Sequence, residues 1–191
     1  MPNIKLLISG LAGVGKNAVQ EKLSKELNLV KFSAGEIMRI EAKKAFPLEE
    51  NPLNLFEELI RYKGNYEIDR LIDEKTQKLL LERTNFILDS RIAWYFAKKM
   101  NSDAVRISLT ASPSIRYQRI ADREKISFDK AKKDTSDREE EIKVRFKKLY
   151  DINFCELSNP QNFHFSVNTD IINEKMVSEN IINFLEKSNI L

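Results

Sequence analysis

Three glycines followed by a lysine, in Gly10-Leu11-Ala12-Gly13-Val14-Gly15-Lys16-Asn17, carry the pattern of a loop that holds a phosphate chain. Glycine lets the backbone turn sharply and bring successive N–H groups toward phosphate oxygens, and a helix starting where the loop ends adds positive potential. Lys16 can then reach the outer phosphates of a nucleotide donor, an arrangement suited to phosphoryl transfer. The last position departs from the pattern. Serine or threonine there would offer magnesium a hydroxyl; Asn17 offers an amide oxygen, which can coordinate the ion or hold one of its waters. Two readings stay open: nucleotide binding with a less directly held metal, or a catalytically weakened protein.

Further charged groups fall where an acceptor would need them. Ser33-Ala34-Gly35-Glu36-Ile37-Met38-Arg39 follows a short apolar run, so Ser33 can cap a helix with Glu36 completing a capping box. Arg39, one turn in, either lies on the surface or points its guanidinium at an acceptor phosphate, a bidentate and selective pairing. Leu88-Asp89-Ser90-Arg91 also follows an apolar run, and an acid at the carboxyl end of a central parallel strand sits in the ligand crevice of such sheets. There Asp89 could hold magnesium through water beside Lys16, and Arg91 could face the acceptor phosphate opposite Arg39. Asp69 and Asp73, one turn apart, could touch an acceptor base or ribose, or remain solvated. Arg116, Arg119 and Arg123 stand at helical spacing, and Arg138 and Arg145 again share roughly one face. The pairs Arg119/Arg123 and Arg138/Arg145 either fold over phosphates as a clamp or, with Asp122, Glu124, Asp137 and Glu139 to Glu141 nearby, form a salt-bridged surface.

Positioning these groups takes alternating strands and helices. Apolar runs at Ile4 to Ile8, Val30 to Phe32, Phe86 to Leu88, Val105 to Leu109 and Phe163 to Val167 predict strands. Helices are predicted over Asn17 to Leu27, Gly35 to about Ala45, Ile68 to Glu82, Pro113 to about Arg123 and Glu174 to Lys187, with helical tendency throughout 124–153. In the third helix, Ile68, Leu71, Ile72, Lys75 and Leu79 mark the packing face. Leu55, Leu59 and Tyr62 add helical periodicity after two prolines. Trp94 and Tyr95 read as packing residues, and His164, the only histidine, as structural. The alternation implies a parallel α/β sheet with right-handed crossovers.

The chain has 191 residues, 42% hydrophobic and 32% charged, enough for one domain with a sizeable core. A net charge of +3 is too mild to announce a nucleic-acid binder, while a few focused cations would serve a small anionic substrate. The single cysteine, Cys155, rules out an intrachain disulfide or a multi-thiolate zinc site. No run approaches the roughly 18 apolar residues that span a bilayer, so a cytoplasmic protein without membrane or nucleic-acid partners is expected.

In order and spacing, the loop, KFSAGEIMR (Lys31 to Arg39), EIDRLIDE (Glu67 to Glu74), ILDSRIAWYF (Ile87 to Phe96), REKISFDKAKKDTSDREEEIKVRF (Arg123 to Phe146) and VNTD (Val167 to Asp170) resemble the cytidylate kinases, most closely their compact archaeal and bacterial kind. The resemblance implies a three-layer α/β P-loop nucleotide kinase fold with a central parallel sheet, in one domain over 1–191. It further implies an acceptor-binding helical insertion over 33–84 and a helical lid over 119–150. The implied reaction moves the γ-phosphoryl of ATP to CMP or dCMP with Mg2+, in a monomer. Gly10 to Asn17, Arg119 and Thr169 would serve the donor, with Lys16 gripping its phosphates. Ser33, Arg39, Asp69 and Arg91 would serve the acceptor, and Asn17 and Asp89 the metal. Arg119, Arg123, Arg138 and Arg145 would join Lys16 as catalytic cations.

Two places depart from the family pattern: Asn17, and Asp89-Ser90-Arg91, where Glu-Gly-Arg is common; Asp89 preserves the charge, while Ser90 loses glycine's backbone freedom. The stretch AFPLEENPLNLFEELIRYKGNY is longer than expected in the acceptor region. Other readings are a kinase for another nucleoside monophosphate or a small alcohol, and a nucleotide-binding regulatory protein. Arg39 with Arg91 favours an acceptor that already carries phosphate; Asn17 favours the regulator. VNTD lacks the NKxD pattern of guanine readers, and a nucleic-acid module would need strong salt-dependent binding.

Overall fold

The computed structural model describes residues 3–50 and 66–191. Strand β1 (Lys5–Ser9) runs through the glycine loop into helix α1 (Lys16–Glu26). β2 (Val30–Ser33), α2 (Ala34–Ala45) and α3 (Glu67–Glu82) follow, then β3 (Phe86–Asp89), α4 (Ala93–Lys99) and β4 (Val105–Thr110). Helices α5 (Pro113–Glu124) and α6 (Phe128–Tyr150) lead through two short 3-10 turns to β5 (Phe165–Asn168) and α7 (Glu174–Lys187). The periodicity expected at Leu55, Leu59 and Tyr62 lies outside the described residues.

The strands form one parallel sheet in the order β2-β3-β1-β4-β5. Alternation along each strand makes the layers. Leu6, Ile8, Ile87 and Ile107 face α1 and α7, meeting Val19, Leu23, Val177, Ile181 and Leu185. Leu7, Phe86 and Leu88 face the opposite way, onto Leu80, Trp94, Phe96, Ile142 and Phe146. Burial of both faces explains the apolar runs Leu6 to Ile8 and Phe86 to Leu88. Strand order reverses about β1, so the crevice at the carboxyl ends of β1 and β3 is a topological switch point, where open α/β sheets take ligands.

One sequence-based expectation needs adjustment. The buried stripe of α3 is Asp69, Ile72, Thr76 and Leu80; of the expected face Ile72 lies in it and Leu79 packs half-buried against the core, while Leu71 and Lys75 stand half-buried to one side. Lys75 instead turns toward Glu41 on α2, 3.4 Å away. The helix expected to end at about Arg123 ends at Glu124: Lys125 closes α5 in a left-handed conformation (φ 55°), and Ser127 caps α6, the helix of the charged stretch, by accepting from Lys130 N–H. The turn carries neither glycine nor proline. Among the described residues, no helix is long and apolar enough to cross a membrane.

Candidate active site

The loop between β1 and α1 owes its shape to backbone conformations that side chains resist. Gly13 has φ 85°, and a Cβ there would stand 2.6 Å from the Arg116 carbonyl. Gly15 has open space around it but φ 90°, so conformation alone calls for glycine. Val14 is buried in the core and pins the loop from beneath. The Lys16 ammonium donates to the Leu11 carbonyl at 3.0 Å and lies 4.0 Å from Asp89 Oδ1. Burial drives the Lys16 pKa down to about 8; Asp89 opposes the shift, whereas Arg91, Arg116 and Arg123 add to it. Such a lysine is already surrounded by positive potential, and an incoming polyanion would relieve it.

A cavity of about 450 Å³ opens beside the loop. Ala12, Gly13, Gly15, Lys16 and Asn17 line it together with Arg39 of α2, Asp69 and Asp73 of α3, and Arg91 beyond β3. Arg119 and Arg123 reach it from α5, Arg138 and Arg145 from α6. Seven cations from five parts of the chain thus face one space. Other expected site residues stand behind its wall. Ser33 caps α2, accepting from Glu36 N–H at 3.4 Å. Gly10 lies against β4, and Leu11 presents the carbonyl that Lys16 meets. Thr169 is buried; its hydroxyl bonds the Val14 and Thr110 carbonyls, while Arg119 reaches its hydroxyl at 2.9 Å and also its carbonyl. Arg119 is thereby fixed at the loop end of the cavity, near Gly13.

At the opposite end, α3 meets α6. Arg145 Nε lies 3.5 Å from Asp69 Oδ1, and the Tyr150 hydroxyl donates to Asp73 Oδ2 at 2.7 Å. Burial raises both carboxyls, Asp73 to about 6 despite the Tyr150 hydrogen bond, and raises the Tyr150 phenol as well.

Among the described residues, no group of three acidic, histidine or cysteine side chains could enclose a metal. Asp89, nearly buried at the end of β3, and Asn17, exposed in the first turn of α1, are the oxygen donors flanking Lys16. One carboxylate and one amide suit Mg2+ delivered on phosphates, since that ion keeps several waters and needs few protein ligands.

Sequence reasoning passed over two features. Arg116, at the same helical spacing as Arg119 and Arg123, is buried and joins three elements: it donates to the Ala12 carbonyl at 3.0 Å and forks onto Glu139 of α6 at 2.6 and 3.4 Å. Gln20, buried under the loop, donates to the Phe32 and Ile87 carbonyls and ties α1 to β2 and β3. The doubt attached to Ser90 is resolved. It avoids the left-handed region, and its hydroxyl accepts from the N–H groups of Ile92 and Ala93, starting α4.

The cytidylate kinase-like family matches residues 6–171. A cytidylate kinase of Sulfurisphaera tokodaii is 35% identical over 188 residues, covering 97% of this chain and 98% of that protein. One of Methanosphaera stadtmanae is 30% identical over 182 residues, covering 95% of each. Among solved structures, an uncharacterized protein from Eubacterium ventriosum superposes with TM-score 0.70 at 13% identity, over 96% of this chain and 98% of that one. A shikimate kinase from Acinetobacter baumannii, in complex with shikimate, superposes with TM-score 0.57 at 16% identity, over 98% and 94%. These two likenesses concern the fold. A glycine loop with its lysine, at the switch point of a parallel sheet, and relatives aligned over nearly the whole length lead to one assignment: the chain belongs to the cytidylate kinase-like family and is an ATP-dependent phosphotransferase.

Proposed function

We propose that the protein transfers the γ-phosphoryl group of ATP to CMP or dCMP, yielding ADP and CDP or dCDP. The carrying observation is the convergence of Lys16, Arg39, Arg91, Arg119, Arg123, Arg138 and Arg145 on one cavity. A donor polyphosphate and an acceptor monophosphate bring more negative charge than a neutral alcohol acceptor would, and seven cations match that pair. Loop N–H groups and Lys16 hold the donor phosphates, with Arg119 at the donor end beside Thr169. Arg39 and Arg91 grip the acceptor phosphate, whose oxygen is already an anionic nucleophile, so no strong protein base is required. Asn17 and Asp89 would hold Mg2+, which supplies charge neutralisation at the transferring group when bound. Residues 33–84 form the acceptor region and 119–150 a lid whose arginines, drawn in by both substrates, exclude water from the aligned reactants. A magnesium-dependent screen of ATP against the common nucleoside monophosphates and shikimate tests this reading. CMP or dCMP should give the highest kcat/KM, and preference for any other acceptor would overturn it.

The division of labour among arginines gives a sharper expectation. Arg91→Ala should weaken CMP binding in the absence of ATP at least about tenfold, because a charge-assisted contact to the acceptor is lost. Arg138→Ala should leave that binding within about threefold and lower kcat at saturating substrates by more than tenfold, because its contact forms on closure. Equal losses of CMP affinity with unchanged turnover would merge the two roles.

Asn17→Thr tests the metal. A hydroxyl in the first turn of α1 should reduce the magnesium concentration for half-maximal activity by roughly threefold or more. An identical magnesium titration in the folded variant would clear Asn17 of limiting metal use.

A further inference from the structure

The carboxyl end of β5 carries a buried joint between the glycine loop, the sheet and α5. Thr169, 3% exposed, follows the strand directly, and its N–H donates to the Thr110 carbonyl at 2.8 Å. Its hydroxyl has three neighbours: Arg119 Nη1 at 2.9 Å, the Val14 carbonyl at 3.1 Å and the Thr110 carbonyl at 3.2 Å. A hydroxyl has one proton to donate, so it accepts from the guanidinium and donates to one carbonyl of the two. Asp170 secures the same strand end from its other side. Its Oδ1 accepts from the Ser112 N–H at 2.7 Å and from the Ser112 hydroxyl at 3.2 Å, where α5 begins.

Arg119 is the member of this joint that lines the cavity, and Thr169 stands behind it. The guanidinium also donates to the Thr169 carbonyl and lies 3.5 Å from the Gly13 carbonyl. A guanidinium carries five N–H donors in a rigid fork, so these contacts leave it donors for an anion. An arginine without such a seat samples many rotamers, and ordering it as a ligand binds costs affinity. Arg123, one turn on, gives the contrast: its side chain is 63% exposed and pairs with adjacent Glu124.

Resting on the reading that puts Arg119 at the donor end and going beyond it, we infer that Thr169 is a positioning residue for donor binding. Its hydroxyl and carbonyl hold the Arg119 guanidinium against the glycine loop before the nucleotide arrives. The donor then meets a cation already in place, and Thr169 acts on it only through Arg119.

The probe is ATP carrying a non-hydrolysable β,γ-imido bridge, with Mg2+, titrated calorimetrically into the full chain without CMP. Thr169→Val keeps the branched shape and removes the hydroxyl; it should weaken binding about five- to tenfold, the scale of ordering one long side chain on binding. Thr169→Ser keeps the hydroxyl and should stay within about twofold of the parent. In an Arg119→Ala background the valine substitution should change affinity less than about twofold, because its effect passes through the arginine. A valine variant that binds as the parent does overturns the inference, and so does an equal loss with and without Arg119, which a merely structural threonine would give. A second arm leaves position 169 unchanged. In NMR spectra of the nucleotide-free parent, the Arg119 guanidinium, assigned by its loss in Arg119→Lys, should rotate slowly about Nε–Cζ while that of Arg123 averages freely. Equal averaging of the two overturns the inference even if the valine variant does not fold. Parent protein that does not bind the analogue would sink the donor reading itself, an outcome distinct from loss of the coupling alone.

Discussion

Replacing Lys16 by alanine is expected to lower kcat at least about a hundredfold, about 2.7 kcal/mol of transition-state stabilisation, while the thermal transition stays close to the parent's. The asymmetry follows from where the side chain spends its interactions. In the free protein the ammonium makes one hydrogen bond to the Leu11 carbonyl and lies 4.0 Å from Asp89, in a setting where burial disfavours its charge. Removing it loses little packing and relieves a desolvated cation. In the reacting complex the same ammonium would meet charge developing on the transferred group, where a fixed donor in a water-poor site counts most. Steady-state kinetics at saturating ATP and CMP, paired with a circular-dichroism melt, make the check. Turnover within threefold of the parent in a folded variant would remove Lys16 from the phosphates.

Arg116→Ala is expected to destabilise the fold by about 3 kcal/mol, the scale for breaking a buried ion pair from one side. For a chain of this size that lowers the melting temperature by roughly 6–12 °C. The guanidinium side chain is 4% exposed and its partner Glu139 16%, so the carboxylate left behind regains only part of its hydration. The Ala12 carbonyl loses its donor as well. The consequence reaches function, because this one residue ties the glycine loop to the helix that carries Arg138 and Arg145. KM for ATP and for CMP should therefore rise together in the variant below its melting range. Arg123→Ala is the internal comparison: that side chain is 63% exposed and pairs with adjacent Glu124, so its melt should scarcely move. Equal melting temperatures for the two variants would deny Arg116 its bridging role.

What could be read from the chain alone divides by range of interaction. Leu6 to Ile8 and Phe86 to Leu88 announce central strands because both faces of each are covered, leaving no polar alternation there, while Val105 to Leu109 alternates with Arg106 and the buried Ser108. The loop was legible because Gly13 and Gly15 serve local backbone needs, and Lys16 has its place fixed by them. Arg116 was not. Nothing local separates it from Arg119 and Arg123, which share its helical spacing; it is set apart by the loop passing against its backbone at Gly13 and by Glu139 on another helix. The α3 stripe was legible only in part, for a related reason. Ile72 fits the apolar periodicity and is buried, but it shares the buried side with Asp69 and Thr76, polar residues that hydropathy assigns to water. Ser90 shows the converse, a departure that suggested lost freedom where the local backbone needs none and gains a helix cap.

The central claim is transfer of a phosphoryl group between two nucleotides, and the most direct measurement follows that group. Protein mixed with Mg2+, CMP and ATP labelled at the γ-phosphorus should place the label in the β-phosphate of CDP, with one ADP formed per CDP and little inorganic phosphate. Label that remains in ATP, or appears only as inorganic phosphate while CMP is unchanged, would contradict the account.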